Sequence, residues 1–184
     1  MQVIMAEDRE KAPAKPVHTD AAMKLNWQVL MEGGCACGAV TYRFDVPPMI
    51  VHCCHCRWCQ RETGSAFVIN ALIETSKLAV TGAVETIVTP SQSGKGQIVL
   101  RCPRCKIALW SHYAGAGSKV AFVRVGTMGD PAACLPDVHI FTGSKLPWIK
   151  LPKEAKAFPK FYPDPSRVWT AAARARYKAA KASG

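Results

Sequence analysis

The sequence predicts a mainly β protein closed by one C-terminal helix, and three observations lead there. Six short stretches are rich in β-forming residues: AVTYRF (39–44), AFVINALIE (66–74), LAVTG (78–82), GQIVLRC (96–102), KVAFVRVGTM (119–128) and DVHIF (137–141). Gly, Pro and Ser separate them, and short joints of this kind favour antiparallel pairing. One Ala-rich run, SRVWTAAARARYKAA (166–180), carries spaced Val, Trp and Tyr and reads as a helix with Ser166 as its N-cap.

Each segment follows in order. Residues 1–27 mix acids, bases and prolines without sustained periodicity and read as a mobile extension. Residues 28–165 hold the predicted strands and all nine cysteines, and read as one zinc-binding β domain. Residues 166–184 form a basic helical tail, with no acid after Asp164. At 184 residues the chain is long enough for a single core of its own, and 49% apolar with 20% charged residues fits a globular protein better than a disordered one.

Nine cysteines is an odd number, which leaves a thiol over in any all-disulfide scheme. The opening residues have no apolar region and cleavage site of a secretory signal, and no run approaches the ~18 apolar residues of a membrane helix. A reducing compartment, the cytoplasm, is therefore expected, where clustered cysteines point to metal. The formal net charge of +11 invites a nucleic-acid partner. Its basic residues concentrate in a Pro-rich connector and the tail, which reads better as a solvated basic surface.

Spacing sorts the cysteines. Cys102 and Cys105 in RCPRCK make a C-x-x-C knuckle, and Cys35 and Cys37 in GGCACG make a C-x-C pair whose sulfurs share a face in extended chain. Together they form a four-thiolate set suited to a closed structural zinc site. The stretch HCCHCRWCQRETGSAF (52–67) supplies Cys53, Cys54, Cys56 and Cys59. Adjacent residues of an extended chain point to opposite faces, so Cys53 and Cys54 are not expected on one ion. Either choice leaves three thiolates, and a fourth ligand could come from His52, His55 or Cys134, or the position could stay open.

GGCACGAVTYRF, CHCRWCQRETGSAF, CPRCKIALW and DVHIFTGSKLPWIKL resemble, in that order, the successive motifs of the glutathione-dependent formaldehyde-activating family, which includes the vertebrate centromere protein V. The resemblance spans about residues 31–164. It implies a fold similar to the Mss4-like β-tent and two zinc ions per chain. One ion would sit on the residues matching Cys35, Cys37, Cys102 and Cys105, and a catalytic one on Cys54, Cys56 and Cys59, with Cys53 the spare. Three positions depart from the family pattern: Ala36 where His is frequent, Lys106 where Gly is common, and Ile107-Ala108 in place of a Thr-Pro-like pair.

A zinc ion with an open position can hold a thiol as thiolate or polarise a carbonyl oxygen. The resemblance thus implies a carbon–sulfur lyase that interconverts glutathione and formaldehyde with S-hydroxymethylglutathione. Zinc is preferred to iron because a redox-inert tetrahedral sulfur site is what these spacings most often build. Arg57 and Arg61 are placed to offset the negative site or hold a carboxylate, and Glu62 is the nearest candidate base. His55 should point away from the metal. His139 and Trp148 fit either a pocket wall or the core. A different class of function, a zinc-stabilised binding module whose basic tail contacts nucleic acid or another acidic partner, is also compatible with the resemblance.

Overall fold

The computed structural model describes residues 31–182. The expected N-terminal extension lies outside the described residues. Among the described residues there are ten strands: β1 Met31–Gly34, β2 Thr41–Phe44, β3 Ile50–Cys54, β4 Val68–Glu74, β5 Ala79–Thr81, β6 Glu85–Thr89, β7 Gln97–Arg101, β8 Ala108–Tyr113, β9 Val120–Arg124 and β10 Val138–Ile140. Two α-helices accompany them, α1 Arg57–Thr63 and α2 Ala171–Ala182. The mainly β class with a C-terminal helix is therefore as the sequence predicts.

The strands form a three-stranded sheet, β1-β2-β5, and a seven-stranded sheet, β10-β3-β4-β9-β8-β7-β6. All pairings in both sheets are antiparallel except one: β10 lies parallel to β3, with His139 opposite Cys53 and Ile140 opposite Cys54. The antiparallel pairing that short joints favour thus holds everywhere but at this edge. A crossover of more than eighty residues brings β10 back to this edge, so the short-joint rule does not govern it.

Period-two alternation splits the large sheet into two cores. Val51, Ala71, Ile73, Ala121 and Val123 face the small sheet, where Val40, Tyr42, Phe44 and Leu78 meet them. Ile50, Cys54, Leu72, Val138 and Ile140 face the opposite way and are covered by Tyr162, Val168, Trp169 and Ala173. Gly33 marks how closely the small sheet approaches: a Cβ there would fall 2.5 Å from the Thr127 carbonyl oxygen and from the Tyr42 hydroxyl.

The C-terminal helix starts later than expected. Asp164 accepts from the Ser166 N–H and caps a single 3-10 turn, Pro165–Arg167, while Thr170 Oγ1 accepts from Ala173 N–H at 3.1 Å and caps α2. Ser166 is thus not the N-cap; Pro165 starts one short turn and Thr170 starts the next. Likewise the run 119–128 is strand only to Arg124, because the Thr127 hydroxyl donates back to the Arg124 carbonyl at 2.7 Å and curls the chain. Arg176 of α2 reaches Glu74 of β4 through two hydrogen bonds, at 2.7 and 2.6 Å, and the Pro47 carbonyl at 2.8 Å.

Candidate metal centres and the cavity beside them

The Cys35–Cys37 turn follows β1, and the Cys102–Cys105 knuckle joins β7 to β8. The four sulfurs lie within 4.8 Å of one another. Cys37 Sγ is 3.6 Å from Cys35 Sγ and 3.7 Å from Cys102 Sγ. A tetrahedral site with ~2.3 Å zinc–sulfur bonds has sulfurs about 3.8 Å apart, so the set fits such an ion. Backbone geometry presents the sulfurs: Val40 N–H donates to Cys35 Sγ at 3.3 Å, and Lys106 N–H donates to the Cys102 carbonyl at 2.9 Å. Burial pushes the Cys35 thiol up, but the Val40 N–H with Cys102 and Cys37 holds it down to about 6. Lys106 adopts φ +62°, the left-handed conformation that glycine takes without cost.

Cys54 ends β3, Cys56 is the N-cap of α1, and Cys59 lies in the first turn of that helix. Cys56 Sγ accepts from Cys59 N–H at 3.3 Å, so one sulfur serves as both helix cap and candidate ligand. The three sulfurs also lie within 4.8 Å of one another, with Cys54 Sγ and Cys59 Sγ 3.5 Å apart. All three residues are buried. Hydrogen bonds from Cys54 and Cys59 pull Cys56 down to about 3, and the same contact with Cys56 pushes Cys54 far above the ordinary thiol range. Cys54 works to lower Cys59, but Cys56 and burial prevail and hold it up at about 12. Three sulfurs this close ionise together only with a cation among them, which is what a metal site of thiolates requires.

The structure separates Cys53 from this trio. Cys53 faces the other side of β3, where its Sγ is 3.5 Å from His55 Nε2, and His55 Nε2 is 3.1 Å from His139 Nδ1. These three make a third group with ligand-type atoms within 4.8 Å of one another. His55 is thus turned away from the trio, as alternation predicts. His52 is held by the Tyr162 hydroxyl at 2.9 Å, and Cys134 is buried in the core beneath the small sheet. Among the described residues, none of the candidate fourth ligands joins Cys54, Cys56 and Cys59.

The trio opens onto a cavity of about 390 Å³. Cys54, Cys56 and Cys59 lie in its lining beside Trp58, Phe122, Phe141, Phe161, Trp169 and Tyr177. Arg57 and Arg61 do not line it: Arg57 hydrogen-bonds Gln60 and Arg61 is exposed. Glu62 pairs with Arg101, away from the trio. Trp148 is 67% exposed and neither walls the cavity nor packs the core.

The cation nearest in effect is one that sequence reasoning missed. Arg124 is buried on β9, held by Asn70 Oδ1 at 2.7 Å and Ser111 Oγ at 3.0 Å. Both partners are neutral, its Nε has no hydrogen-bond partner, and its charge lowers the Cys59 thiol. A buried guanidinium needs an anion, and a thiolate cluster supplies one. The only signal for it in the sequence was a lone Arg within the apolar run KVAFVRV.

A family model described as glutathione-dependent formaldehyde-activating enzyme matches residues 30–144. The chain belongs to that family. A curated protein of Halomonas elongata that carries the family's name is 33% identical over 88 residues, covering 45% of this chain and 55% of the relative. The chain thus spans about half the length of the curated relative it matches. A solved Rhodobacter sphaeroides protein aligns with a TM-score of 0.40 at 19% identity, over 70% of this chain and 100% of its own. The motifs quoted for the resemblance fall largely inside the matched span, and Phe161, Trp169 and Tyr177 lie beyond it.

Proposed function

We propose that this protein is a zinc-dependent carbon–sulfur lyase acting on a small thiol adduct of the S-hydroxymethylglutathione kind. The observation that carries the reading is the contrast between its two thiolate groups. Cys35, Cys37, Cys102 and Cys105 form a complete four-sulfur set that ties the small sheet to the β7–β8 turn, the place for a structural ion. Cys54, Cys56 and Cys59 number three and line a cavity large enough for a small molecule. The family's name supplies glutathione and formaldehyde as the expected reactants. Nine free thiols fit a reducing compartment, with the cytoplasm as the expected location.

When bound there, zinc would supply a positive centre able to stabilise a thiolate or a carbonyl oxygen. The chain's own residues do the rest. Cys54, Cys56 and Cys59 would hold the ion, and Arg124 offsets the excess negative charge from within the sheet. The apolar side chains of the lining lower the local polarity and would strengthen these interactions. In the synthetic direction a carbon–sulfur bond forms between the thiol and formaldehyde, and the thiol proton ends on the former carbonyl oxygen. The lyase direction reverses both. No carboxylate lines the cavity among the described residues, so proton movement is left to water or the substrate itself.

Cys56→Ser tests the assignment. Serine keeps the helix cap that Cys56 provides, so the variant should fold while losing one zinc per chain and its acceleration of thiol–formaldehyde exchange. Unchanged turnover in a folded Cys56→Ser protein would remove these cysteines from the mechanism.

A further inference from the structure

The cavity beside Cys54, Cys56 and Cys59 is a poor match for the charges of glutathione. Among the described lining residues one side chain is a permanent cation, Lys95, none is a carboxylate, and beside the three cysteines the neutral polar groups include Asn70, Ser91, Gln92, Ser93 and Gln97. His52 is buried and its Nε2 is held by the Tyr162 hydroxyl at 2.9 Å. Glutathione brings two carboxylates and one ammonium group, so with Lys95 the single lining cation at least one carboxylate would enter a largely apolar space without a cationic side chain to pair with. Burying an unpaired charge is strongly unfavourable.

The apolar character comes in part from chain beyond the family match. Phe161, Trp169 and Tyr177 all lie after residue 144, where the family model ends, and all three line the cavity. They are fixed in place: the indole N–H of Trp169 donates to the Tyr162 hydroxyl, Trp169 packs edge-on against Tyr177 at 5.2 Å, and Phe161 lies 4.2 Å from Tyr162. The C-terminal segment thus builds a preformed aromatic part of the wall of the cavity that the thiolate trio also lines.

We propose that the thiol this site takes has an apolar body, aryl or branched alkyl, with at most one carboxylate directed to Lys95. The inference rests on the reading of Cys54, Cys56 and Cys59 as the reactive centre and names the substrate class for it. The reaction keeps its balance: the thiol sulfur bonds to the formaldehyde carbon, and the sulfur's proton passes to the oxygen to give the hydroxymethyl thioether. The apolar body desolvates against Phe161, Trp169 and Tyr177 as the sulfur reaches the trio.

The test compares 4-(mercaptomethyl)benzoic acid, benzyl mercaptan and glutathione on the zinc-replete full chain. Calorimetry reads binding, and exchange NMR with formaldehyde reads turnover. Both aryl thiols are expected to bind at least tenfold more tightly than glutathione. Phe161→Ser, at a half-exposed wall position, should bring the aryl-to-glutathione ratio toward one, and Lys95→Ala should weaken the benzoate and spare benzyl mercaptan. Glutathione binding as tightly as the aryl thiols, no binding by any of the three, or a ratio unmoved by Phe161→Ser would overturn the proposal. Tight aryl binding without faster exchange for any thiol would instead sink the lyase reading and leave the ligand class standing.

Discussion

Removing Cys35 and Cys37 together, as Cys35→Ser/Cys37→Ser, deletes every ligand that the small sheet gives to the four-sulfur set. The cost can be worked from the chain. Cys37 and Cys102 are 65 residues apart, so an ion joining them closes a loop of that size. The chain-entropy relation for a cross-link of this length gives about 4 kcal/mol at room temperature. Cys37 is exposed and Cys35 sits at the edge of the core, so lost packing adds little. A domain of this size has a stability of roughly 5–15 kcal/mol, and the loss should leave it marginal or unfolded. Urea unfolding of reduced, zinc-replete protein measures it. Cys102→Ser/Cys105→Ser breaks the same link from the other end and should cost at least as much, because Cys102 is fully buried and its hydroxyl replacement adds a penalty of its own. A loss below ~1 kcal/mol for the first pair would mean that no ion cross-links these segments.

Three further outcomes follow from individual contacts. Arg176 holds the Glu74 carboxyl below its usual range against the opposing effect of burial, so this pair stabilises the fold above the ordinary carboxylate pKa. The stability difference between wild type and Arg176→Met should be full at pH 7 and shrink as pH falls through the lowered Glu74 value; a constant difference would discount the pair. Lys106 sits at φ +62° and its ion pair with Glu85 is largely exposed, so Lys106→Gly should be more stable than Lys106→Ala by about 1 kcal/mol in urea unfolding. Reversing Arg167, Arg174 and Lys178 to Glu, all exposed, should change exchange turnover less than twofold; a large loss of turnover would show that the basic face takes part.

Six strand-forming runs and the Ala-rich helix were legible because each carries its own local pattern. The four missed strands were not. IVHCC of β3 and ALWSHY of β8 are embedded in cysteine motifs, where ligand spacing masks the period. MEGG of β1 has two glycines and one acid, and forms strand only because Gly33 lets it lie against Tyr42 and Thr127. ETIVT of β6 sits on the sheet edge with Val88 exposed, so its alternation reports no core. Helix α1 is seven residues long, and a cysteine caps it where Ser, Thr, Asp or Asn is the usual signal. The two sulfur sets could be read from spacing and resemblance, since i, i+2 and i, i+3 relations are local. The Cys53, His55 and His139 group could not, because it needs the parallel docking of β10. Arg124 was hidden for a similar reason: its partners Asn70 and Ser111 come from two neighbouring strands.

The C-terminal helix bears on both classes of function, and its faces divide them. Ala173 and Tyr177 share one face of α2, and Trp169, just ahead of the Thr170 cap, packs on Tyr177 and extends that stripe toward the core and cavity. Arg167, Arg174 and Lys178 lie exposed around that stripe, whereas Arg176 is committed to Glu74 and Lys181 donates to the Gly115 carbonyl. Part of the tail's positive charge is therefore spent inside the fold, and the remainder is the solvated face such a helix needs. Deleting residues 166–184 would strip the aromatic wall and the basic surface at once, and an unfolded second core would mimic loss of either function. Substitutions confined to one face separate them, because the stripe that shapes the cavity and the charges that could meet a polyanion share no side chain.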